Sequence, residues 1–435
     1  MQEFSSATST ARIDAIVDAG TFEAQVESKA AIIVGSARVD SVPVWIAACE
    51  PVRARGAIGS LEADALCVLF QSARRFPRPL LLLLDSSGAK VDEGVAGLGA
   101  FRRLFREALM TRTAGVPMLA LLGRSCFGGA SLLACLCDAR LYSKETLLAV
   151  SGPAVIEALS GESELRSGDR EQVRALMGGE ARSQLGANEL LVANSLDAFR
   201  AAIMRQLHSR AASPFERDTT TQHNLLGQRI DTSSWPCDTA LIDRAHMAFR
   251  SIAPAGYVYS MRGCVTVAEP PAASRDPVLL GVLTGATVGA DSCWILADEL
   301  LRLRRSRSDS PVTLLLDASG HAATYRDEAL MLSAYLVHLS VVMAEAAARG
   351  QRIELRISGA ASGAVYVAFA AAVTRVAAYP AARVRILPEA AVRSIVGKEQ
   401  DEEGTLDALI ASGVVDAVID DPPGSAIPLA NLEER

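Results

Sequence analysis

The sequence predicts an α/β fold in which one domain occurs twice. Its 435 residues exceed the usual size of a single compact core. Short apolar runs that end in polar loops alternate with longer segments of helical periodicity, a pattern typical of parallel strands joined by helices. The order of these segments repeats along the chain, so we expect two domains that arose by internal duplication.

The repeat is visible as matching segments that keep nearly one register. Residues 78–88 read RPLLLLLDSSG, and residues 310–320, 232 residues further along, read SPVTLLLDASG. Four other pairs follow at offsets of 234 or 235 residues: 42–44 with 276–278, 63–64 with 297–298, 127–130 with 362–365, and 152–153 with 387–388. Chance similarity would not hold so many separated pairs within three residues of one offset.

Each copy is expected to follow the same plan of elements. In the first copy, residues 79–84 and 116–122 are short apolar runs that predict strands buried on both faces. Residues 93–113 carry apolar side chains at helical spacing, and residues 130–137 predict a helix of small residues packed in the core. Further strands are predicted at 139–142 and 147–151, and the second copy repeats this order over residues 312–387.

The predicted domains span residues 1–210 and 241–435. Residues 211–240 are polar and rich in Thr, Ser, Gln and Asp, so they are predicted to be the connector.

Charge and composition exclude several classes of function. The net charge of −7 makes nucleic acid and an anionic membrane poor partners. The eight cysteines form no CxxC pair, which argues against a zinc ribbon or a disulfide scaffold and favours reduced thiols in a cytoplasm. Residues 357–374 carry no charge, but their Ala, Gly, Ser and Val favour a buried strand, turn and helix over a membrane span.

A glycine turn ends a buried strand and begins a buried helix in each copy. The residues are Gly128 and Gly129 in the first copy, and Gly363 and Ala364 in the second. Unpaired N–H groups at a helix N-terminus point outward with the helix dipole behind them, and glycine lets a ligand atom approach closely. Two such groups aimed at one carbonyl form an oxyanion hole for an enolate. The alternative is that the glycines only allow close packing of helix on strand.

Three motifs of the first copy resemble the carboxyltransferase branch of the crotonase superfamily. They are DSSGAKVDEG at 85–94, CFGG at 126–129 and VSGPAVIE at 150–157. This copy is similar to the β subunit of biotin-independent malonate decarboxylase, and residues 327–339 and 359–366 make the second copy similar to the γ subunit. The resemblance implies a fold of tandem crotonase-like (ClpP/crotonase) domains, with the two subunits fused.

The resemblance also implies decarboxylation of a malonyl thioester to the acetyl thioester. Loss of CO2 leaves a carbanion beside the thioester, and this carbanion is stable only if its charge moves onto the carbonyl oxygen. Removing one oxyanion-hole donor typically costs about 3–4 kcal/mol. The resemblance implies no metal and no tightly bound cofactor. The acyl group would arrive on CoA or on the phosphopantetheine-type arm of an acyl carrier protein.

The catalytic residues implied by similarity are Gly128 and Gly129 as the oxyanion hole, with His338 as a candidate proton donor. His321 is the alternative donor, and each histidine also fits a purely structural role. Cys126 fits packing better than nucleophilic attack. The substrate-binding residues are predicted to be Ser87, Gly88, Ala89, Cys126, Phe127, Gly152, Pro153, Gly363 and Ala364.

The sequence departs from the family pattern at three positions, which are Ser125, Lys90 and Ala364. The Cβ of Ala364 is expected to narrow the second turn, so the enolate hole is assigned to the first copy. Arginine clusters at 74–78, 102–106 and 302–307 fit CoA phosphates or an acidic carrier protein, and equally fit solvated helix faces.

Three other functions remain open at this point. A carboxyltransferase subunit of a biotin-dependent carboxylase shares the doubled fold. A crotonase-type hydratase needs paired acidic residues near the hole, for which Glu157, Glu162 and Glu164 are the candidates. A non-catalytic partner of a synthase complex would use its apolar surface alone. We also expect a homo-oligomer in which the first domain of one chain faces the second domain of another.

Overall fold

The computed structural model describes residues 2–25, 30–212, 218–230, 255–272, 274–388 and 404–419, together with residues 247, 249, 253, 391 and 392. These residues form two mixed α/β domains, each built on a largely parallel sheet. The predicted connector, residues 211–240, lies partly outside the described residues, so the domain bounds at 210 and 241 stay a prediction.

The first domain contains a sheet whose central strands are buried on both faces. Its strands are β1 Glu23–Ala24, β2 Ile32–Val39, β3 Val42–Cys49, β4 Leu80–Ser86, β5 Met118–Phe127, β6 Ala139–Tyr142, β7 Leu147–Ala149 and β8 Glu189–Leu191. Every residue of β4 is buried, as expected for a leucine run inside a parallel sheet. β5 is longer than predicted, because Ser125, Cys126 and Phe127 pair with β7 instead of turning at once.

The helices of the first domain cover the sheet and continue into the connector. They are α1 Ser9–Ile16, α2 Ser60–Arg75, α3 Gly94–Thr113, α4 Gly129–Leu136, α5 Pro153–Ser160, α6 Arg170–Met177, α7 Gly179–Ser183, α8 Leu196–Ala212 and α9 Thr219–Gly227, with 3₁₀ segments at Ala54–Gly56 and Val91–Glu93. The predicted helices at 93–113 and 130–137 correspond to α3 and α4. Pro153 stands in the first turn of α5, where its missing N–H costs nothing.

The second domain follows the same order of elements. Its strands are β9 Val258–Arg262, β10 Val265–Glu269, β11 Val278–Val288, β12 Val312–His321, β13 Ile353–Ile357, β14 Ala360–Ser362, β15 Arg375–Ala378, β16 Arg383–Arg385 and β17 Ala417–Val418. Its helices are α10 Ala290–Ser306, α11 Tyr325–Ala329, α12 Leu332–Ala348, α13 Gly363–Ala370 and α14 Leu406–Ala411.

The two sheets confirm the duplication. The first runs β1-β2-β3-β4-β5-β6-β8 and the second runs β9-β10-β11-β12-β13-β15-β17, with antiparallel pairs at one edge and parallel pairs elsewhere. β7 pairs beside the end of β5, and β16 pairs in the same way with β14. Gly128 and Gly363 both lie at the start of the following helix, with φ of +56° and +53°. Offsets read from the sequence therefore place equivalent residues on equivalent elements.

The domains pack on each other through helices. α12 and α13 of the second domain contact α3 and α4 of the first, and one continuous apolar core includes residues of both. The Ser131 and Ser333 hydroxyls meet at 2.7 Å across this interface. Arg102 on α3 donates to the carbonyl of Gly413 at 2.8 Å and forms an ion pair with Asp416 at 2.9 Å.

Within the described residues, no helix combines the length and apolar character that a membrane crossing requires.

Candidate active site

A pocket of about 880 Å³ lies where the two domains meet, and it brings both glycine turns together. Nearly all the predicted substrate-binding residues line it. They are Ser87, Gly88, Ala89, Phe127, Gly152, Pro153, Gly363 and Ala364, joined by Gly128 and Gly129. Both turns come from one chain, and the expected oligomer, in which the first domain of one chain faces the second domain of another, stays a prediction.

The first turn presents one amide fewer than predicted. The Gly128 N–H donates to the carbonyl of Val150 at 3.1 Å, so it is not available to a ligand. Gly129 is the first residue of α4, and its N–H has no acceptor within the described part of the chain. The left-handed backbone of Gly128 allows this abrupt change from strand to helix.

A second free amide beside the first turn comes from Ala89, in the loop that follows β4. Ile58 donates to the carbonyl of Gly88 at 2.9 Å and accepts from the Lys90 N–H at 3.1 Å. This pairing turns the N–H of the intervening Ala89 away from Ile58, and no described residue accepts a hydrogen bond from it. The first oxyanion-hole candidate is therefore formed by Ala89 and Gly129, both of which line the pocket.

In the second domain, His321 and Ala364 occupy the positions equivalent to Ala89 and Gly129. Ala322 donates to the carbonyl of Val288 at 2.9 Å, just as Lys90 donates to Ile58, so the His321 N–H points away from β11. Ala364 stands in the first turn of α13, where backbone N–H groups lack helical acceptors. His321 and Ala364 also line the pocket.

The Cβ of Ala364 was expected to narrow the second turn, but it points towards the apolar core and away from the pocket. At the equivalent position of the first turn, a Cβ built on Gly129 would lie 2.3 Å from Cζ of Phe101, inside the core. Ala364 is only 6% exposed and belongs to the apolar core. A side chain at this position therefore points towards the core, so both turns remain open to the pocket.

One aspartate in each domain holds the strand that leads into the turn. Asp85 Oδ1 accepts from the Ser125 N–H at 3.2 Å, and Asp317 Oδ1 accepts from the Ala360 N–H at 2.8 Å. In the first domain Arg12 also pairs with Asp85 Oδ2 at 2.8 Å. No arginine of the described residues forms an ion pair with Asp317, and burial raises its pKa.

His321 is the histidine that faces the pocket. Its Nε2 lies 2.8 Å from Oγ of Ser151 in the other domain, and its Nδ1 is buried without a partner in the described structure. Burial lowers the pKa of His321 to about 4, so the imidazole is neutral near pH 7. A neutral imidazole can donate one hydrogen bond to a substrate oxygen.

His338, the predicted proton donor, lies outside the pocket. Its side chain is buried on α12, and its Nε2 is 3.1 Å from Nδ1 of His223 on α9. Burial, with a smaller contribution from His223, lowers the pKa of His338 to about 3. The structure does not bring His338 into the pocket, because its face of α12 packs against the connector helix.

Cys126 is fully buried next to the first turn and does not line the pocket. Burial raises the pKa of this thiol well above its usual value, so a thiolate nucleophile is disfavoured. The three acidic candidates for hydratase chemistry, Glu157, Glu162 and Glu164, are also not among the lining residues.

The arginine clusters singled out in the sequence serve mainly ion pairs within the chain. Arg74 pairs with Glu107, Arg102 with Asp416, and Arg302 with Glu269 and Glu299. The cationic side chains that line the pocket are Arg55, Lys90 and Arg124. Arg55 and Arg124 are exposed, whereas Lys90 pairs with Glu62 at 2.7 Å. Neither arginine belongs to a cluster, so no local pattern in the sequence indicated that either would line a pocket.

Two protein families match the chain in separate segments. Residues 6–208 match the carboxyl transferase domain, and residues 284–418 match the malonate decarboxylase gamma subunit. The carboxyltransferase subunit of propionyl-CoA carboxylase from Haloferax mediterranei is 30% identical over 173 residues, which cover 36% of this chain and 33% of that protein. The malonyl-S-ACP:biotin-protein carboxyltransferase of Malonomonas rubra is 25% identical and covers 46% of this chain and 73% of that protein.

Solved structures similar to this chain include a Pseudomonas malonate decarboxylase hetero-tetramer in complex with malonate. The likeness covers 54% of this chain and 94% of that chain, at 25% identity and a TM-score of 0.48. The transcarboxylase 12S structure covers 96% of this chain and 87% of that chain, at 19% identity and a TM-score of 0.40.

The matched region spans about a third of the length of the curated carboxylase relatives. The two family matches nevertheless agree with the two domains described above. Residues 6–208 are therefore similar to a carboxyl transferase domain, and residues 284–418 are similar to the malonate decarboxylase gamma subunit.

Proposed function

We propose that this chain is an enzyme that decarboxylates a malonyl thioester to the acetyl thioester without biotin. The observation that carries the proposal is the meeting of two amide pairs, Ala89 with Gly129 and His321 with Ala364, at one pocket. A pocket of about 880 Å³ is within the usual range for small-molecule sites. It fits the end of an acyl-thioester arm.

The reaction needs one oxyanion hole for the thioester and one site for the departing carboxyl group. When the bond between C2 and the carboxyl carbon breaks, its electron pair moves to the thioester carbonyl oxygen and forms an enolate. The amides of Ala89 and Gly129 donate to that oxygen. The enolate then collapses, C2 takes a proton that originates from solvent, and CO2 and the acetyl thioester leave.

His321 and Ala364 face the carboxyl group from the second domain. If the bound thioester excludes water from this end of the pocket, conversion of the carboxylate to neutral CO2 is favoured, because the charge leaves the carboxyl group as the bond breaks. Because the ring of His321 is neutral, it forms no strong ion pair with the carboxylate of the substrate. Such an ion pair would stabilise the carboxylate before the bond breaks. The thioester would be carried by CoA or by an acyl carrier protein, for which Arg55 and Arg124 supply exposed positive charge at the pocket.

Transfer of the carboxyl group to biotin is the second candidate function. The malonyl-S-ACP:biotin-protein carboxyltransferase of Malonomonas rubra, which is 25% identical, supports it. The second amide pair would then hold an oxygen of biotin instead of releasing CO2. Both functions share the enolate in the first hole.

Mass spectrometry of the thioester after incubation with the protein separates these functions. Malonyl-CoA and malonyl acyl carrier protein are each supplied with no ATP, first without and then with biotin. Acetyl thioester formed without biotin is the expected result. Carboxylated biotin formed only in the second arm would assign transfer instead, and an unchanged malonyl thioester in every arm would favour a non-catalytic partner.

His321 provides the first residue test of this site. We expect His321→Gln to lower kcat by about 10- to 100-fold, because the pocket loses its ring donor. His208→Gln is the matched control, since His208 is exposed and pairs with Asp40 far along the chain from either turn. Equal rates for wild type and His321→Gln would remove the histidine from the reaction.

A further inference from the structure

A series of four buried residues, linked by hydrogen bonds, crosses the domain interface and ends at His321. Arg182 on α7 donates to the carbonyl of Glu328 at 2.6 Å, and the Glu328 carboxylate accepts from the Ser151 N–H at 2.7 Å. The Ser151 hydroxyl in turn meets Nε2 of His321 at 2.8 Å. All four residues are at most 6% exposed, so water does not compete for these contacts.

The hydrogen bonds made by Arg182 and Glu328 hold Ser151 in place. Glu328 is completely buried and lies in the second domain, whereas Ser151 follows β7 in the first. Arg182 also donates to the carbonyl of Leu148 at 2.8 Å, so one arginine holds both the strand before Ser151 and the helix that carries Glu328. Ser151 therefore cannot shift without breaking hydrogen bonds in both domains.

The hydrogen bond between Ser151 and His321 favours one tautomer of the imidazole ring. If Nε2 carried the proton, two buried groups would lack partners: Nδ1 would have no donor, and the proton of the Ser151 hydroxyl would have no acceptor, because its one hydrogen bond among the described residues is to His321. A buried donor without an acceptor costs about 1–3 kcal/mol. If the hydroxyl donates to Nε2, the ring proton sits on Nδ1. Nδ1–H is then the one group of this pair without a partner among the described residues, and Nδ1 would lie 4.0 Å from a Cβ built on Gly363, which lines the pocket.

We propose that Ser151 is a positioning residue that holds neutral His321 with its proton on Nδ1, so that Nδ1–H is presented to the pocket as a hydrogen-bond donor. This proposal rests on the proposed function for the identity of the acceptor, an oxygen of the malonyl group. It does not rest on that function for the tautomer, which is a property of the protein alone.

The tautomer is tested by NMR on protein labelled with ¹⁵N in its histidine rings, with His321→Gln used to assign the signals. At pH 7 we expect His321 to show a protonated Nδ1 and an unprotonated Nε2. In Ser151→Ala the preference is expected to weaken or reverse. A wild-type protein with its proton on Nε2 would overturn the proposal, whatever reaction the protein catalyses.

Kinetics provide the second readout. Ser151→Ala is expected to lower kcat by about 10- to 100-fold with little change in KM, because the ring is mispositioned while thioester binding is intact. Ser151→Thr keeps the hydroxyl and should restore most of kcat. The control is Ser333→Ala, which also removes a buried hydroxyl contact between the domains but does not touch His321.

The outcomes of the two measurements are separable. A normal kcat in Ser151→Ala together with a retained Nδ1 proton would show that Ser151 does not position the ring. A wild-type tautomer as expected, in a protein that leaves malonyl thioesters unchanged, would support the positioning role and reject the proposed reaction.

Discussion

Buried histidines determine how the stability of this chain responds to acid. His321 and His338 have pKa values lowered by burial to about 4 and about 3. The unfolded chain binds protons at these residues below about pH 6.5, whereas the folded chain does not. The free energy of unfolding therefore falls as the pH drops from 6.5 towards 4, by up to about 1.4 kcal/mol per pH unit for each histidine. Glu328, whose pKa is raised by burial to about 7, acts in the opposite sense between about 4.5 and 7.

His338→Gln isolates one of these contributions. The variant keeps a polar group beside His223 but cannot take up a proton, so the slope of unfolding free energy against pH should decrease by about 1.4 kcal/mol per unit between pH 6 and 5. Denaturant unfolding at several pH values measures the slope. Glu328 contributes equally to both proteins and cancels. An unchanged slope would mean that His338 is already protonated in the folded state.

At the scale of the element, the strand-to-helix turn depends on the space beside its second residue. A Cβ at Gly129 would overlap the ring of Phe101, so a bulky substitution there disturbs the core before it reaches the oxyanion position. Gly129→Val is therefore expected to destabilise the fold.

Gly129→Ala is the smallest test of this packing. We expect it to lower the free energy of unfolding by about 1–3 kcal/mol, and Phe101→Leu in the same chain to recover part of the loss. Denaturant unfolding of the two single variants and the double variant gives the coupling energy. Ala364→Gly is the control at the equivalent position, with an expected cost of about 1–2 kcal/mol from helix propensity and the lost burial of its methyl group. Independent effects at Gly129 and Phe101 would contradict the contact.

Elements that depend on local pattern were predictable from the sequence. The leucine run of β4, the periodicity of α3 and the repeated glycine turns each report on a few neighbouring residues, and the structure confirms them. The contacts that complete the site join residues 170 or more positions apart, as in Ser151 with His321 and with Glu328. No local spacing encodes such contacts. The use of the Gly128 amide by Val150 was equally invisible, because it requires β7 to lie beside the end of β5.

For the whole molecule, the shared core predicts that the two domains unfold together. Apolar residues of α3, α4, α12 and α13 belong to one buried cluster, and Arg102 adds hydrogen bonds from α3 to the end of the second domain. Separating the domains would expose this cluster, and its burial couples their stabilities.

Calorimetry tests this coupling. We expect a single unfolding transition, and a loss of about 2–3 kcal/mol in Arg102→Ala, which leaves several acceptors without their donor. Arg103→Ala is the matched control, because its partner Asp64 and Arg103 itself are both more than half exposed and such pairs contribute about 0–1 kcal/mol. Two well-separated transitions in the wild-type chain would contradict the shared core.

The expected homo-oligomer stays a prediction, and the pocket does not require it. Both amide pairs belong to one polypeptide, so the fold holds them together at a fixed effective concentration that dilution cannot lower. Turnover per chain should then stay constant from micromolar down to low nanomolar protein, even where self-association is lost. A site assembled from separate chains would instead lose activity on dilution, because the chains would dissociate.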